Sequence, residues 1–154
     1  MRSSGKKAGE LGASGYTPEE LRIGGFRAKD LKADKFSAKQ MKGGGDMALE
    51  MKHVGFGAAE LHNSGYDARE LREGTFVAKD LKPLGLSTLI LRNAGFEAIE
   101  LRDVQFTLKQ MCEGEYNATE LKAAKDYAHE LRGVGFEAKN LKVAGCARAR
   151  GDHT

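Results

Sequence analysis

The residues whose type and spacing could carry chemistry are basic. Arg72, Lys82, Arg92 and Arg102 stand at the same place in successive tens, and Arg22, Lys32, Lys42, Lys52, Lys122, Arg132 and Lys142 keep that register. Lys29, Lys39, Arg69, Lys79, Lys109 and Lys139 accompany them at a second position. A row of cations at fixed spacing can track nucleic-acid phosphates. An acidic row of similar length runs beside it, and 25 basic against 22 acidic residues leave a net charge of only +3. That balance does not by itself argue for nucleic acid or an anionic membrane.

Other chemistry is thinly represented. His53, His62, His129 and His153 fall at unrelated positions, with no pair of metal-ligand spacing, so they read as surface or groove residues. Cys112 stands in for a base on a helix flank, where exposure is expected, and Cys146 stands in for a ring. With only these two cysteines, at non-equivalent places, a disulfide framework is not expected, and neither has a sequence partner that would make it a nucleophile. Gly43-Gly44-Gly45 lacks the Lys-Ser or Lys-Thr of a phosphate loop and reads as a loose turn. The expectation is a protein without catalytic activity, cofactor or metal.

What positions the basic row is a repeat of ten residues, G-[FY]-x-A-x-[ED]-L-[KR]-x-small, continuing from Gly5 through 14 units without slipping. The Leu position is Leu or Met from Leu11 to Leu141, and 10 of the 11 aromatics occupy the second position, Tyr127 being the exception. Each unit carries the signals of one short helix. In Tyr16-Thr17-Pro18-Glu19-Glu20-Leu21, Thr17 caps, Pro18 suits the first turn and Glu20 completes a capping box, while Tyr16 and Leu21 are spaced as a hydrophobic staple. The Gly that opens the next unit ends the helix in a left-handed conformation.

Six or seven residues are far below the roughly 12 at which an isolated helix becomes marginal. One ring, one Leu and two small apolar residues contribute at most about 4 to 6 kcal/mol per unit, against about 1 to 2 kcal/mol of backbone ordering for each residue. Stability therefore has to come from stacking. The pattern predicts an all-α solenoid or superhelix of one-helix, ten-residue repeats. A second period lies over the first: the ring is missing at Lys6, Asp46, Leu86 and Asp126, and the Gly is replaced at Lys35, Thr75 and Glu115, each series forty residues apart. These markers point either to a duplicated forty-residue block or, the favoured reading, to one turn of a superhelix with four short helices per turn. The acid before each Leu and the base after it flank the apolar stripe, either as a ladder between neighbouring helices or simply to suit the helix dipole.

The pattern decays at both ends. Residues 1–14 read as a degenerate N-terminal cap, 15–144 as the array, and 145–154 as a degenerate repeat and tail. No apolar run approaches the roughly 18 residues of a membrane span, and the start has no signal-peptide character. The expectation is a cytoplasmic, non-membrane protein.

Decads such as Gly55-Phe56-Gly57-Ala58-Ala59-Glu60-Leu61 and Gly135-Phe136-Glu137-Ala138-Lys139-Asn140-Leu141 make the chain resemble the tandem decapeptide, GFxAxELK-type helical-repeat proteins, over roughly residues 15 to 145. The resemblance implies an array used for binding or scaffolding and assigns no activity to any residue. Leu49, Leu89, Ile90 and Ile99 put large apolar groups where the repeat usually has charge. Leu49 and Leu89 fall in units that lack the ring and read as compensating core. Ile90 and Ile99, with Leu89 beside them, mark the surface expected to meet a protein partner or a second copy. The alternative function is binding of an RNA or DNA backbone through the row Arg72, Lys82, Arg92 and Arg102.

Overall fold

A computed structural model describes residues 5–45 and 47–124. Among them the chain forms twelve short helices and no strand, one helix to each decad. In the first unit these are α1 (Ala8–Ala13), α2 (Pro18–Ile23), α3 (Ala28–Ala33), α4 (Ala38–Gly43), α5 (Ala48–His53), α6 (Ala58–Asn63) and α7 (Ala68–Glu73). Then come α8 (Ala78–Leu81), continued by a 3-10 turn (Lys82–Leu84), and α9 (Thr88–Asn93), α10 (Ala98–Asp103), α11 (Leu108–Glu113) and α12 (Ala118–Ala123). Contacts divide the chain into two compact units, Met1–Asp80 and Leu81–Thr154.

The start and stop signals act as the sequence predicts. The side chains of Thr17, Ser37, Asp67, Ser87 and Thr107 accept from the N–H three residues on. The acid before Leu turns back to its own helix: Glu70 accepts from the Asp67 N–H at 2.7 Å and Glu100 from the Glu97 N–H at 2.7 Å. This is the capping-box use, close to the dipole reading of that row. At the other end Gly65 N–H donates to the His62 carbonyl and Tyr66 N–H to the Leu61 carbonyl, at 2.9 and 3.0 Å, the paired bonds of a Schellman ending. The ring residue is thereby fixed between one helix and the next.

The core is one anchor per decad. From Leu21 to Leu121 every described Leu or Met anchor is fully buried, with most of the rings and, in α1, α3 to α8 and α10, the Ala that opens the helix beside it. Stacking pairs each helix with the second one on: α1 with α3, α2 with α4, α4 with α6 and α5 with α7 in the first unit, and α9 with α11 and α10 with α12 in the second. The repeating step is therefore two helices, twenty residues, and the forty-residue markers do not set it. Their spacing is itself incomplete, because Gln105 joins Lys35, Thr75 and Glu115 as a non-glycine in the left-handed region.

Two further expectations are corrected. Leu49 and Leu89 are exposed rather than core, because the second helical position points away from the stripe made by the opening Ala and the anchor. Cys112 is buried, not exposed, and is disulfide-bonded. Cys146, Asp46 and Asp126, the 145–154 segment, His129 and His153 lie outside the described residues.

Candidate interaction surface

The basic row is built into the stack. The base in the last turn of a helix reaches forward to the terminal carbonyls of the second helix on. Arg22 donates to the Gly44 carbonyl at 2.8 Å, Lys32 to Val54 at 2.8 Å, Lys42 to Gly65 at 2.5 Å and Lys52 to Thr75 at 2.7 Å. In the second unit Lys82 donates to the Val104 carbonyl and Arg102 to that of Ala124. These carbonyls belong to the helix end that has no partner within its own helix, so each base caps a neighbour.

The same cations lie over the rings that follow. Lys32 sits 4.0 Å from the Phe56 centroid, Lys42 4.4 Å from Tyr66, Lys52 4.6 Å from Phe76, Lys82 5.6 Å from Phe106, and Arg92 5.5 Å from Tyr116. Base and ring are twenty-four residues apart in every case. One side chain thus makes a charged hydrogen bond and a cation–π contact, and clamps two layers together. Two bases also reach an acid on the third helix on, Lys42 meeting Glu70 at 2.6 Å and Arg92 meeting Glu120 at 3.5 Å. The acid–base ladder between successive equivalent helices is replaced at these two places by a longer diagonal.

Of the four residues of the sequence-predicted phosphate row, Lys82, Arg92 and Arg102 are all held in such contacts, Arg102 also at 2.6 Å from Asp103. Arg72 is half-buried on α7 and is partnered as well. The second basic position behaves differently. Lys29, Lys39 and Lys79 in the first unit, and Lys109 in the second, are exposed.

Three grooves of one design open beside the clamps. Each is bordered by a base, the first turn of the following helix and the helix two further on, and in two of them a tyrosine ring adds to the lining. One is lined by Lys42, Leu49, Tyr66 and Glu70, another by Arg92, Ile99, Tyr116 and Glu120, and the third by Arg22, Lys29, Glu50 and Val54. The first two are related residue for residue by a shift of fifty, the first and third by a shift of twenty. The fifty-residue correspondence, carried by Tyr66 and Tyr116, is the signal in the sequence that would have found these grooves.

The predicted partner residues are on the surface of the second unit: Leu89 is 37 %, Ile90 47 % and Ile99 42 % exposed. Leu89 and Ile90 are successive on α9, and Ile99 on α10 lines the groove with Phe96 and Tyr116, which Leu89 and Ile90 do not reach. His53 borders the third groove, and the His62 Nδ1 lies 3.1 Å from the Tyr66 carbonyl of its own turn. Among the described residues no helix is long and apolar enough to cross a membrane.

A family model described as the decapeptide repeat region matches residues 5–77, 47–110 and 75–150. No curated protein and no solved structure matches the chain. The chain belongs to the decapeptide repeat family.

Proposed function

From that membership, which brings no chemistry to any residue, we propose that the protein is a protein-interaction or scaffolding array without catalytic activity, using the extended surface of a solenoid. The observation that carries the reading is the division of labour among exposed side chains. The described cations of the main basic row are engaged in the stack, whereas Leu89, Ile90 and Ile99 stand partly exposed on the surface of the second unit. Large apolar groups on an outer helical face favour a protein partner.

The second reading, backbone binding of RNA or DNA, draws its support from the exposed lysines at the other position, Lys29, Lys39 and Lys79, rather than from the clamped row. Titration of labelled RNA and DNA at two salt concentrations separates the two. The scaffold reading expects weak binding; tight binding that falls steeply with salt overturns it. A photo-crosslinker placed at Ile90 or Ile99 should capture defined proteins, and one at Ala59 should not.

A further inference from the structure

Cys112 occupies the base position of α11. At that position in the preceding helices of its unit stand Lys82, Arg92 and Arg102, each reaching forward to a carbonyl, a ring or an acid later in the chain. Cys112 instead carries a disulfide, and its side chain is buried at 2 % exposure. A sulfur so enclosed is closed to a second copy of the chain. The chain holds one other cysteine, Cys146, and it falls at a ring position. One cysteine has thus taken the place of a clamp's base and the other the place of a clamp's ring.

Base and ring lie twenty-four residues apart wherever the clamp is seen, as in Lys82 with Phe106 and Arg92 with Tyr116. By that register Cys112 leaves Phe136 without its base, and Cys146 leaves Lys122 without its ring. Two consecutive clamps each lack one member, and the two missing members are the two cysteines. The reach between them is one the molecule uses elsewhere. Lys42 and Arg92, last-turn residues like Cys112, meet Glu70 and Glu120 on the third helix on. A ring-position residue is tied through its N–H to the carbonyl of the anchor five residues before it, as Phe106 is to Leu101 and Tyr116 to Met111, both at 3.1 Å. By register position 146 goes with Leu141, three decads on from Met111.

We propose that Cys112 and Cys146 form one reducible clamp, which holds the C-terminal decads to α11 in place of the two interrupted base-to-ring clamps. Its formation takes one proton and one electron from each thiol and passes them to a disulfide oxidant such as oxidised glutathione, which leaves as two thiols. A dithiol reverses the step and closes to its own disulfide. Reduction leaves the C-terminal decads with neither the covalent link nor the cationic ones at these positions. The clamps of Lys32, Lys42, Lys52 and Lys82 contain no sulfur and keep their hold. Disulfides persist in oxidising compartments and are reduced in a glutathione-poised cytosol. The length of array that stays docked therefore follows the redox state of its surroundings.

The full chain, equilibrated with oxidised and reduced glutathione, tests this. Complete tryptic digestion without reduction, read by mass spectrometry, should give peptides 110–122 and 143–148 joined through their cysteines. In a limited digest of the native chain, cleavage after Arg132 and Lys142 should be at least about tenfold faster with dithiothreitol than in the oxidised protein. Cleavage after Lys29, in the other unit, should not change. Cys112→Ser should be cut like the reduced wild type with or without dithiothreitol. Circular dichroism establishes that the variant is folded, and Cys146→Ser takes its place if it is not. Free thiols in the glutathione mixture overturn the proposal, as does a bond joining Cys112 of two chains. So do equal cleavage rates with and without the dithiol, or a folded serine variant that still responds to it.

Discussion

A left-handed residue closes each helix from α1 to α11, and the chain does not always use glycine for it. Gly65 has φ 98° with open space where a Cβ would go, whereas Lys35, Thr75, Gln105 and Glu115 hold φ between 61° and 65° with side chains attached. An L-residue in that region costs about 1 to 2 kcal/mol, and a β-branched one is the least suited. Thr75→Gly should therefore raise stability by about 1 kcal/mol in a denaturant titration, part of the gain being offset by the freedom of glycine in the unfolded chain. Gly74 is a different case, since a Cβ there would lie 2.7 Å from that of Ala48 and 3.0 Å from the Leu49 nitrogen. Gly74→Ala should cost about 1 to 3 kcal/mol through overpacking, against a smaller, purely conformational loss for Gly65→Ala. A third residue responds to acid. The Thr17 backbone N–H, and then its hydroxyl, hold the Glu20 carboxyl below its ordinary value of 4.5. A depressed carboxylate stabilises the fold above its unfolded value and loses that contribution as pH falls through the folded one. The stability difference between the wild type and Glu20→Gln should thus shrink as the pH is lowered below 4.5, and a difference that grew would contradict the capping role. Gln40 and Gln110 show that the amide fits the same seat.

At the scale of the helix, the sequence gives away what is local and conceals what is not. The caps at Thr17, Ser37, Asp67 and Thr107, the anchors, and glycine endings such as Gly25 are read correctly because each is complete within about one decad. The duty of the bases is invisible on a single helical wheel, because Lys32 finds its carbonyl in Val54 and its ring in Phe56, on another helix altogether. A base beside an acidic row looks like a solvated face until the stacking step of twenty residues is known. For the same reason the missing rings look like the marks of a forty-residue turn. The candidate site was legible only in part: Ile90 and Ile99 are identified as surface by their departure from the repeat, whereas the grooves need the third dimension. The clamp has a direct test. Lys32→Met removes a charged hydrogen bond and a cation–π contact and should cost about 1 to 3 kcal/mol. Lys29→Met, on the same helix but exposed, should stay within about 0.5 kcal/mol of the wild type. Equal losses for the two would place the stabilisation elsewhere.

For the molecule as a whole, the repeat rather than the individual helix is the unit that tolerates change. A ten-residue insertion within the first unit, duplicating Gly55–Ser64, renews every base-to-ring pairing because the pattern returns each decad. It should leave a folded protein with helical signal increased in proportion to its length. A five-residue insertion at the same place puts a base opposite the wrong half of a decad and should cut the midpoint of urea unfolding, both changes being read by circular dichroism. A repeat array of this kind draws its stability from interfaces between neighbours, so the loss should be shared by the decads on either side of the break. The clamp also has a direction, since each base is earlier in the chain than the carbonyl and ring it holds, by twenty-two to twenty-four residues. On a ribosome that direction becomes a delay. A helix already outside the exit tunnel cannot be locked until two further decads have followed it, which at about 5 to 20 residues per second is on the order of one to five seconds. Folding of this protein would trail its synthesis by a constant interval, with the most recent two helices always waiting for the chain that completes them.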